Sequence, residues 1–345
     1  MVPLVAPSPA KFLDCTLRDG SYQLGFQFSS SQTERIARSL SFFGIDLIEV
    51  GHGSGIGASM KIALARETDL NYAKAAENGA SGRWGMFAIP GIAEPDEVLE
   101  VADEGMSFVR IGLDPDTLDH GLDFISRIGS ARPGLAIFVN FMKSYTFSPE
   151  EFSLLLPKVV DSGVKGLYLV DSAGGMGPDQ IKSYGERFAN FSNQVELGFH
   201  AHNNLGLAVA NCFALRELGF TVFDCSLQGL GRSSGNAPTE QLVALFVKTE
   251  LCKVTLEQLI GLCKLGEDEI RELIPEKGVP GLDTMAGYAD FHSSFMDDLV
   301  KFSEAEVLDP YEVMVAVTNQ SKTTCDARIL DTASVAVRNQ GVFQA

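Results

Sequence analysis

The chain has 345 residues, 45% of them hydrophobic, which is enough to bury one large core with a smaller appendage. Its formal charge of −18 and pI of about 4.7 argue against nucleic acid or an anionic membrane surface as a partner. The N-terminus lacks a signal-peptide pattern and no apolar run is long enough to span a bilayer, so we expect a soluble, cytoplasmic protein of enzyme size.

Eight short, mostly apolar segments recur along the chain and predict eight β-strands. Their apolar residues run almost continuously, which is typical of strands buried on both faces of a parallel sheet. The predicted strands begin at Phe12, Asp46, Trp84, Ser107, Leu135, Gly166, Val195 and Val222. Helical patterns lie between them, including one that ends on Gly44 and one that begins after Ser148 with an acidic first turn. Eight strand–helix units predict a (β/α)8 TIM barrel.

The pattern changes after Leu251, where helical segments follow one another without strands. Two of these segments span residues 255–274 and 291–307, and a Gly/Pro-rich stretch separates them. We therefore expect a catalytic barrel over residues 1–265 and a helical C-terminal domain over residues 266–345.

Polar residues follow several predicted strands at their C-terminal ends, where functional groups gather in such barrels. His200 and His202 close strand seven and point to the same face, because alternate residues of a strand do so. Asp19 follows strand one, which only strand eight separates from strand seven, so its carboxylate can complete a metal site. Nitrogen and oxygen ligands favour Mn²⁺ or Mg²⁺, with Co²⁺ as an alternative. The competing interpretation is a hydrogen-bonded pair of histidines without a metal. The other polar residues at these strand ends are Arg18, Tyr22, Glu49, His52, Asp171 and Ser172.

Three motifs resemble a superfamily of metal-dependent, pyruvate-handling lyases and synthases. They are TLRDG from Thr16, GFHAHNNLGLAVAN from Gly198 and GLGRSSGNAP from Gly229. The superfamily includes 4-hydroxy-2-oxovalerate aldolase, isopropylmalate synthase and hydroxymethylglutaryl-CoA lyase. The segments EVGHGSGIG, IPGI, LVDSAGGM and GYADFHSSF look like the aldolase in particular. The resemblance implies a class II aldolase that makes or breaks a 4-hydroxy-2-oxo acid, with pyruvate enolate and an aldehyde as its two halves.

The resemblance also implies roles for individual residues. The implied metal ligands are Asp19, His200 and His202. Arg18 would stabilise the enolate, while Ser172, His200 and Tyr288 would contact the substrate. Tyr288 would reach the site from the C-terminal segment, with a packed aromatic side chain as the alternative. The C-terminal domain would also bind an acylating aldehyde dehydrogenase, because aldolases of this kind pass their aldehyde to such a partner, and we expect a homo-oligomer.

Two residues depart from the aldolase pattern. Tyr22 stands where the aldolase has a histidine, and an ordinary tyrosine has a pKa of about 10, against about 6.5 for histidine. We therefore expect Tyr22 to donate a hydrogen bond while His52, or hydroxide held by the metal, accepts the substrate proton; a tyrosinate base and a structural loop role for His52 are the alternatives. Arg232 stands where the aldolase is small and uncharged, which suggests binding of a second carboxylate, a phosphate or CoA, or an ion pair with a surface acid.

Other functions compete with the aldolase hypothesis. An acyl-CoA-dependent Claisen synthase would use the same metal, arginine and barrel. A metal-binding regulatory partner without activity is a more remote alternative. The segment from Gly53 to Ala58 fits GxGxxA, but this short fingerprint predicts a dinucleotide site only within a doubly wound sheet. Phe87 and Ile89 end strand three and either contact the aldehyde or pack in the core.

Overall fold

Eight parallel strands form a closed barrel, as the apolar pattern predicts. A computed structural model describes residues 8–113, 117–232, 234–273, 281–282, 285, 289, 291, 295–321 and 324–340. Each strand pairs with the next in sequence order, and β8 pairs with β1 to close the barrel. The strands are β1 Lys11–Asp14, β2 Leu47–Val50, β3 Trp84–Ala88, β4 Phe108–Leu113, β5 Ala136–Phe141, β6 Gly166–Asp171, β7 Glu196–Ala201 and β8 Val222–Cys225.

Helices surround the barrel and continue beyond its last strand. They are α1 Ser30–Phe42, α2 Ala58–Lys61, α3 Asp69–Ala80, α4 Pro95–Ala102, α5 Leu118–Ala131, α6 Pro149–Asp161, α7 Pro178–Ala189, α8 Ala208–Arg216, α9 Thr239–Lys248, α10 Leu256–Leu265, α11 Met296–Glu306, α12 Pro310–Thr318 and α13 Ala327–Gln340. None of the helices within the described residues is long and apolar enough to cross a membrane.

The helix boundaries follow from capping residues in the sequence. Ser148 accepts a hydrogen bond from the backbone of Glu151, whose side chain bonds back to Ser148, so this capping box starts α6 where the sequence predicts it. Gly44 follows the end of α1 with a φ of 86°, a left-handed conformation that glycine adopts without strain. These caps fix the directions in which the chain enters and leaves the outer helices.

The C-terminal helices pack against one another and share a hydrophobic core with the barrel. Helices α11, α12 and α13 pack against one another, and α10 packs on α1 and α9 of the barrel. Residues 266–270 continue α10 as a wide π-helical turn that lies against the loop after β8. The helical chain therefore runs without a break across residue 265, and the division into two domains there stays a prediction.

The barrel interior has an apolar layer and a charged layer. Leu13, Phe108, Phe138 and Tyr168 are among the buried residues of the apolar layer. Arg110 follows Phe108 by two residues on β4, so it points to the same interior nearer the C-terminal end of the strands. Arg110 and its ion-pair partners Glu49 and Asp224 form the charged layer, which lies between the apolar interior and the barrel mouth.

Candidate active site

A small cavity of about 120 Å³ opens at the C-terminal end of the barrel. Most of the site residues that the sequence predicts line it together: Arg18, Asp19, Tyr22, Ser172, His200 and His202. Phe87, Ile89 and Arg232 line it as well. Two predicted residues do not: His52 lies outside the lining, and Tyr288 lies outside the described residues.

Asp19, His200 and His202 are grouped as metal ligands require. One ligand atom from each residue lies within 4.8 Å of the other two, and all three side chains are buried. Nδ1 of His202 is buried and has no hydrogen-bond partner among the described residues. An unpartnered buried nitrogen is costly unless it meets a ligand, so this group fits a divalent cation.

The protonation states of His202 and Asp19 also suit a cation. Burial lowers the pKa of His202 to about 4, so its imidazole is neutral at pH 7. Burial alone would raise the pKa of Asp19, but the adjacent Arg18 guanidinium, the two histidines and a hydrogen bond from Asn236 together outweigh burial and hold that pKa well below the usual range. A neutral imidazole and an ionised carboxylate are the forms in which these side chains coordinate metals.

Hydrogen bonds hold the ligands in place. Nδ1 of His200 lies 2.8 Å from Oδ2 of Asp224, so the imidazole is anchored on that side and Nε2 is the nitrogen left for a ligand. Oδ2 of Asp19 accepts hydrogen bonds from Asn236 Nδ2 at 2.9 Å and from the backbone N–H of Arg232 at 3.1 Å. The loop after β8 therefore positions the carboxylate that follows β1.

Arg18 lies beside the ligand group as a fixed cation. Its Nη1 donates to Asp19 Oδ1 at 2.8 Å, and its Nε donates to Glu49 Oε2 at 2.6 Å. Burial opposes its charge, but Glu49 and Asp19 raise its pKa above the ordinary value. The guanidinium also lies over the Phe87 ring, 4.9 Å from the ring centroid. Arg18 therefore presents a rigid positive charge to the cavity.

A buried charge network connects Arg18 to His200 through the barrel interior. Arg110 is fully buried and bonds to both oxygens of Glu49 and to Asp224 Oδ2. Burial alone would raise the pKa of Glu49, but Arg110 and Arg18 lower it to about 2. The sequence interpretation gave no role to Arg110 or Asp224, although each is a charged residue inside an apolar strand. That interruption is the signal that could have identified them.

Tyr22 and Ser172 line the cavity, and both carry hydroxyl groups. The Tyr22 hydroxyl is 2.9 Å from Ser54 Oγ, and the Tyr22 ring has the Arg232 guanidinium over it, 5.4 Å from the ring centroid. Ser172 Oγ accepts a hydrogen bond from the backbone N–H of Lys143 at 2.9 Å, which leaves its O–H free to donate. The Ser172 hydroxyl can therefore donate to a substrate, and the Tyr22 hydroxyl can exchange a proton with Ser54.

His52 makes different contacts. Its Nε2 donates to the carbonyl of Ala63 at 2.9 Å, and its Nδ1 accepts from the N–H of Ser54 at 3.0 Å. Its ring stacks on Phe26 with the centroids 3.9 Å apart, and burial lowers its pKa. The surroundings of His52 thus match the loop-structural alternative better than the role of proton acceptor.

Comparisons with known proteins identify the family. Residues 118–266 match a family model described as HMGL-like. The chain is 34% identical over 288 residues to 4-hydroxy-2-oxovalerate aldolase 2 of Rhodococcus jostii, covering 82% of each chain. The chain belongs to the HMGL-like family. It is 34% identical over 254 residues to the oxaloacetate decarboxylase of Mycobacterium tuberculosis, covering 73% of this chain and 74% of the relative.

A solved structure supports the fold of this HMGL-like chain. The HMG-CoA lyase of Bacillus subtilis superposes with a TM-score of 0.67 at 20% identity, over 81% of this chain and 98% of the lyase. The curated relatives are aldolases and a decarboxylase, and the chain is a carbon–carbon lyase of this kind. The predicted family is thus confirmed. The closed barrel and the lyase relatives give no support to the dinucleotide-binding and non-catalytic alternatives.

Proposed function

We propose that the protein is a divalent-metal-dependent aldolase that cleaves or forms a 4-hydroxy-2-oxo acid, with pyruvate and an aldehyde as the products of cleavage. The observation that carries the proposal is the buried group of Asp19, His200 and His202 with the Arg18 guanidinium bonded to Asp19. Relatives named 4-hydroxy-2-oxovalerate aldolase support it.

Asp19, His200 and His202 would hold the cation, for which we propose Mn²⁺ or Mg²⁺. When bound, the cation supplies a Lewis acid for the keto and carboxylate oxygens of a 2-oxo acid. Arg18 donates hydrogen bonds towards the oxygen on which negative charge develops as the enolate forms. The Ser172 hydroxyl donates a hydrogen bond to the same end of the substrate.

Tyr22 accepts the proton of the 4-hydroxyl group in cleavage. In cleavage this proton leaves as the C3–C4 bond breaks and its electron pair passes into the pyruvate enolate. The Tyr22 hydroxyl would accept this proton and pass its own to Ser54 Oγ, 2.9 Å away, and Ser54 would release its hydroxyl proton to water. We prefer this assignment to the sequence-based prediction, in which His52 or hydroxide held by the metal accepts the proton.

Metal removal tests the proposed function. Chelator-treated protein should lose both aldol cleavage and the exchange of pyruvate methyl protons in D₂O, and should regain both with Mn²⁺, Mg²⁺ or Co²⁺. His200→Ala and Asp19→Asn should abolish the two activities while leaving the far-UV circular dichroism spectrum unchanged. Full activity in protein that elemental analysis finds free of metal would contradict the proposal.

We also propose that the chain forms a homo-oligomer and binds an acylating aldehyde dehydrogenase through helices α11–α13. Direct transfer of a reactive aldehyde favours such a partner. Coexpression followed by size-exclusion chromatography should give one species that contains both chains. Elution of two separate species at micromolar concentration would contradict a stable complex.

A further inference from the structure

Arg232 has a fixed backbone and a side chain at the mouth of the cavity. Its N–H donates to the ligand carboxylate of Asp19 at 3.1 Å, and its carbonyl accepts from the N–H of Gly235 at 3.0 Å. Its guanidinium lies over the ring of Tyr22, 5.4 Å from the ring centroid. Arg232 is therefore anchored to the metal-ligand group and extends over the residue that we assign to the 4-hydroxyl end of the substrate.

Arg18 and Arg232 differ in whether neighbouring carboxylates balance the charge of the guanidinium. Arg18 is bonded to two carboxylates, Glu49 and Asp19, so much of its charge is already balanced. Across the described part of the chain, no carboxylate lies within ion-pair distance of the Arg232 guanidinium, although the protein carries a formal charge of −18. Within the described residues Arg232 is thus an exposed guanidinium at the cavity without a carboxylate partner, and it can bind an external anion.

We propose that Arg232 binds a second carboxylate carried by the aldehyde half of the substrate, so that the protein acts on 4-hydroxy-2-oxo diacids. This inference rests on the proposed function. The 2-oxo acid end lies with the ligand group and Arg18, while Tyr22 and Arg232 define the opposite end. In cleavage the 4-hydroxyl loses its proton, the C3–C4 bond breaks, and its electron pair forms the enolate. The enolate is protonated at C3 to give pyruvate, and the aldehyde product keeps the second carboxylate.

The size of the cavity favours a small diacid. Its volume of about 120 Å³ suits a compact acid better than an acyl-CoA. A planar guanidinium also matches a carboxylate through two parallel hydrogen bonds.

The chemistry also indicates which carboxylate Arg232 binds. It favours a carboxylate on the aldehyde half of the substrate over a carboxylate that leaves as CO₂. Loss of CO₂ needs the electrons of the carboxylate to move into the adjacent bond. A guanidinium bonded to that carboxylate would stabilise the ground state more than the transition state, and so would slow the loss. A carboxylate on the aldehyde half keeps its charge throughout aldol cleavage, so binding by Arg232 holds the substrate without opposing the reaction.

The test is aldol condensation of pyruvate with one of two aldehydes of similar size. Glyoxylate carries a carboxylate, and isobutyraldehyde is neutral. For the native protein kcat/KM should be higher with glyoxylate, and in Arg232→Gln the ratio of the two values should fall about 10- to 100-fold. Arg232→Lys keeps the charge without the planar fork, so its loss should be smaller. Arg127→Gln, an exposed arginine on α5, removes the same charge elsewhere and should leave the ratio unchanged.

The outcomes separate this inference from the proposed function. An equal ratio in the native protein and Arg232→Gln, with normal exchange of pyruvate methyl protons in D₂O, would overturn the role of Arg232 alone. Absence of both exchange and condensation in the metal-loaded native protein would overturn the proposed function and this inference with it. A loss of oxaloacetate decarboxylation in Arg232→Gln, with glyoxylate condensation unaffected, would overturn the assignment of the carboxylate to the aldehyde half.

Discussion

The side chains of Tyr22 and His52 have different surroundings, although both follow barrel strands. Tyr22 lines the cavity, and its hydroxyl is 2.9 Å from Ser54 Oγ. Both ring nitrogens of His52 are bonded to backbone groups, and its ring stacks on Phe26. A group that exchanges a proton with the substrate must come within hydrogen-bond distance of it. Tyr22 is placed to do so, whereas His52 would first have to break its loop contacts.

We therefore expect the two residues to respond differently to substitution. Tyr22→Phe should lower kcat for aldol cleavage about 10²-fold or more, because the proton relay loses its hydroxyl group. Exchange of pyruvate methyl protons should fall less, since Arg18 and the ligand group remain. His52→Gln should change kcat by only a few fold while lowering the melting temperature. Steady-state kinetics and proton NMR in D₂O measure these effects.

The exposed Tyr145 provides a matched control. Tyr145→Phe, in the loop after β5, should leave both activities unchanged. The opposite ranking, in which Tyr22→Phe is active and His52→Gln is not, would restore His52 as the proton acceptor.

The strands carry more of the site than their apolar pattern suggests. Asp224 on β8 lies between Arg110 on β4 and His200 on β7, and accepts hydrogen bonds from both. An anionic acceptor at Nδ1 fixes the orientation of the imidazole and makes Nε2 a better ligand. The buried network therefore acts on the candidate metal site through His200.

We expect Asp224→Asn to weaken metal binding by about 10- to 100-fold, because a neutral amide holds the imidazole less firmly. Equilibrium dialysis against Mn²⁺ followed by elemental analysis measures the affinity. Asp46→Asn is a suitable control, because Asp46 accepts a hydrogen bond from Phe12 at the N-terminal end of the barrel, away from the ligands. Unchanged Mn²⁺ affinity in a folded Asp224→Asn variant would mean that Asp224 only balances the charge of Arg110.

The barrel strands also show which parts of the site could be predicted from the sequence. Apolar runs predict the strands, and period-two alternation predicts that His200 and His202 share a face. The bonds of Arg110 to Glu49 and Asp224 join residues 61 and 114 positions apart. Alternation tells which face such a residue occupies, but its partner across the barrel depends on how the closed sheet staggers its strands. The ligands could therefore be predicted, and the network behind them could not.

At the scale of the whole molecule, a buried carboxyl group lies where the barrel meets the C-terminal helices. Glu240 in the first turn of α9 is fully buried and accepts hydrogen bonds from the backbone and side chain of Gln228. Gly266 of the π-helical turn packs directly against the carboxyl group of Glu240, since a Cβ at this position would lie only 1.9 Å from Glu240 Oε1. Burial raises the pKa of Glu240 from 4.5 to about 8. The folded protein therefore holds a proton at Glu240 at neutral pH.

This proton makes the stability of the whole chain depend on pH. Between pH 4.5 and about 8 the folded state binds a proton at Glu240 that the unfolded state has released, so the free energy of unfolding falls as the pH rises through this range. At roughly 1.4 kcal/mol per pKa unit, the effect amounts to a few kcal/mol. Asp14, whose pKa burial raises to about 6, adds to the fall at the acidic end of the range.

Glu240→Gln should remove the Glu240 contribution, because an amide keeps an oxygen for Gln228 and does not ionise. We expect the variant to match the native protein near pH 5 within about 1 kcal/mol, and to exceed its free energy of unfolding by roughly 1–3 kcal/mol at pH 9. Urea denaturation from pH 5 to pH 9 measures both curves. Glu257→Gln, which removes an exposed carboxylate from α10, should run parallel to the native protein. If Glu240→Gln also ran parallel, the carboxyl group would be ionised in the folded state, and its contacts with Gln228 and the π-helical turn would have to stabilise the charge against burial.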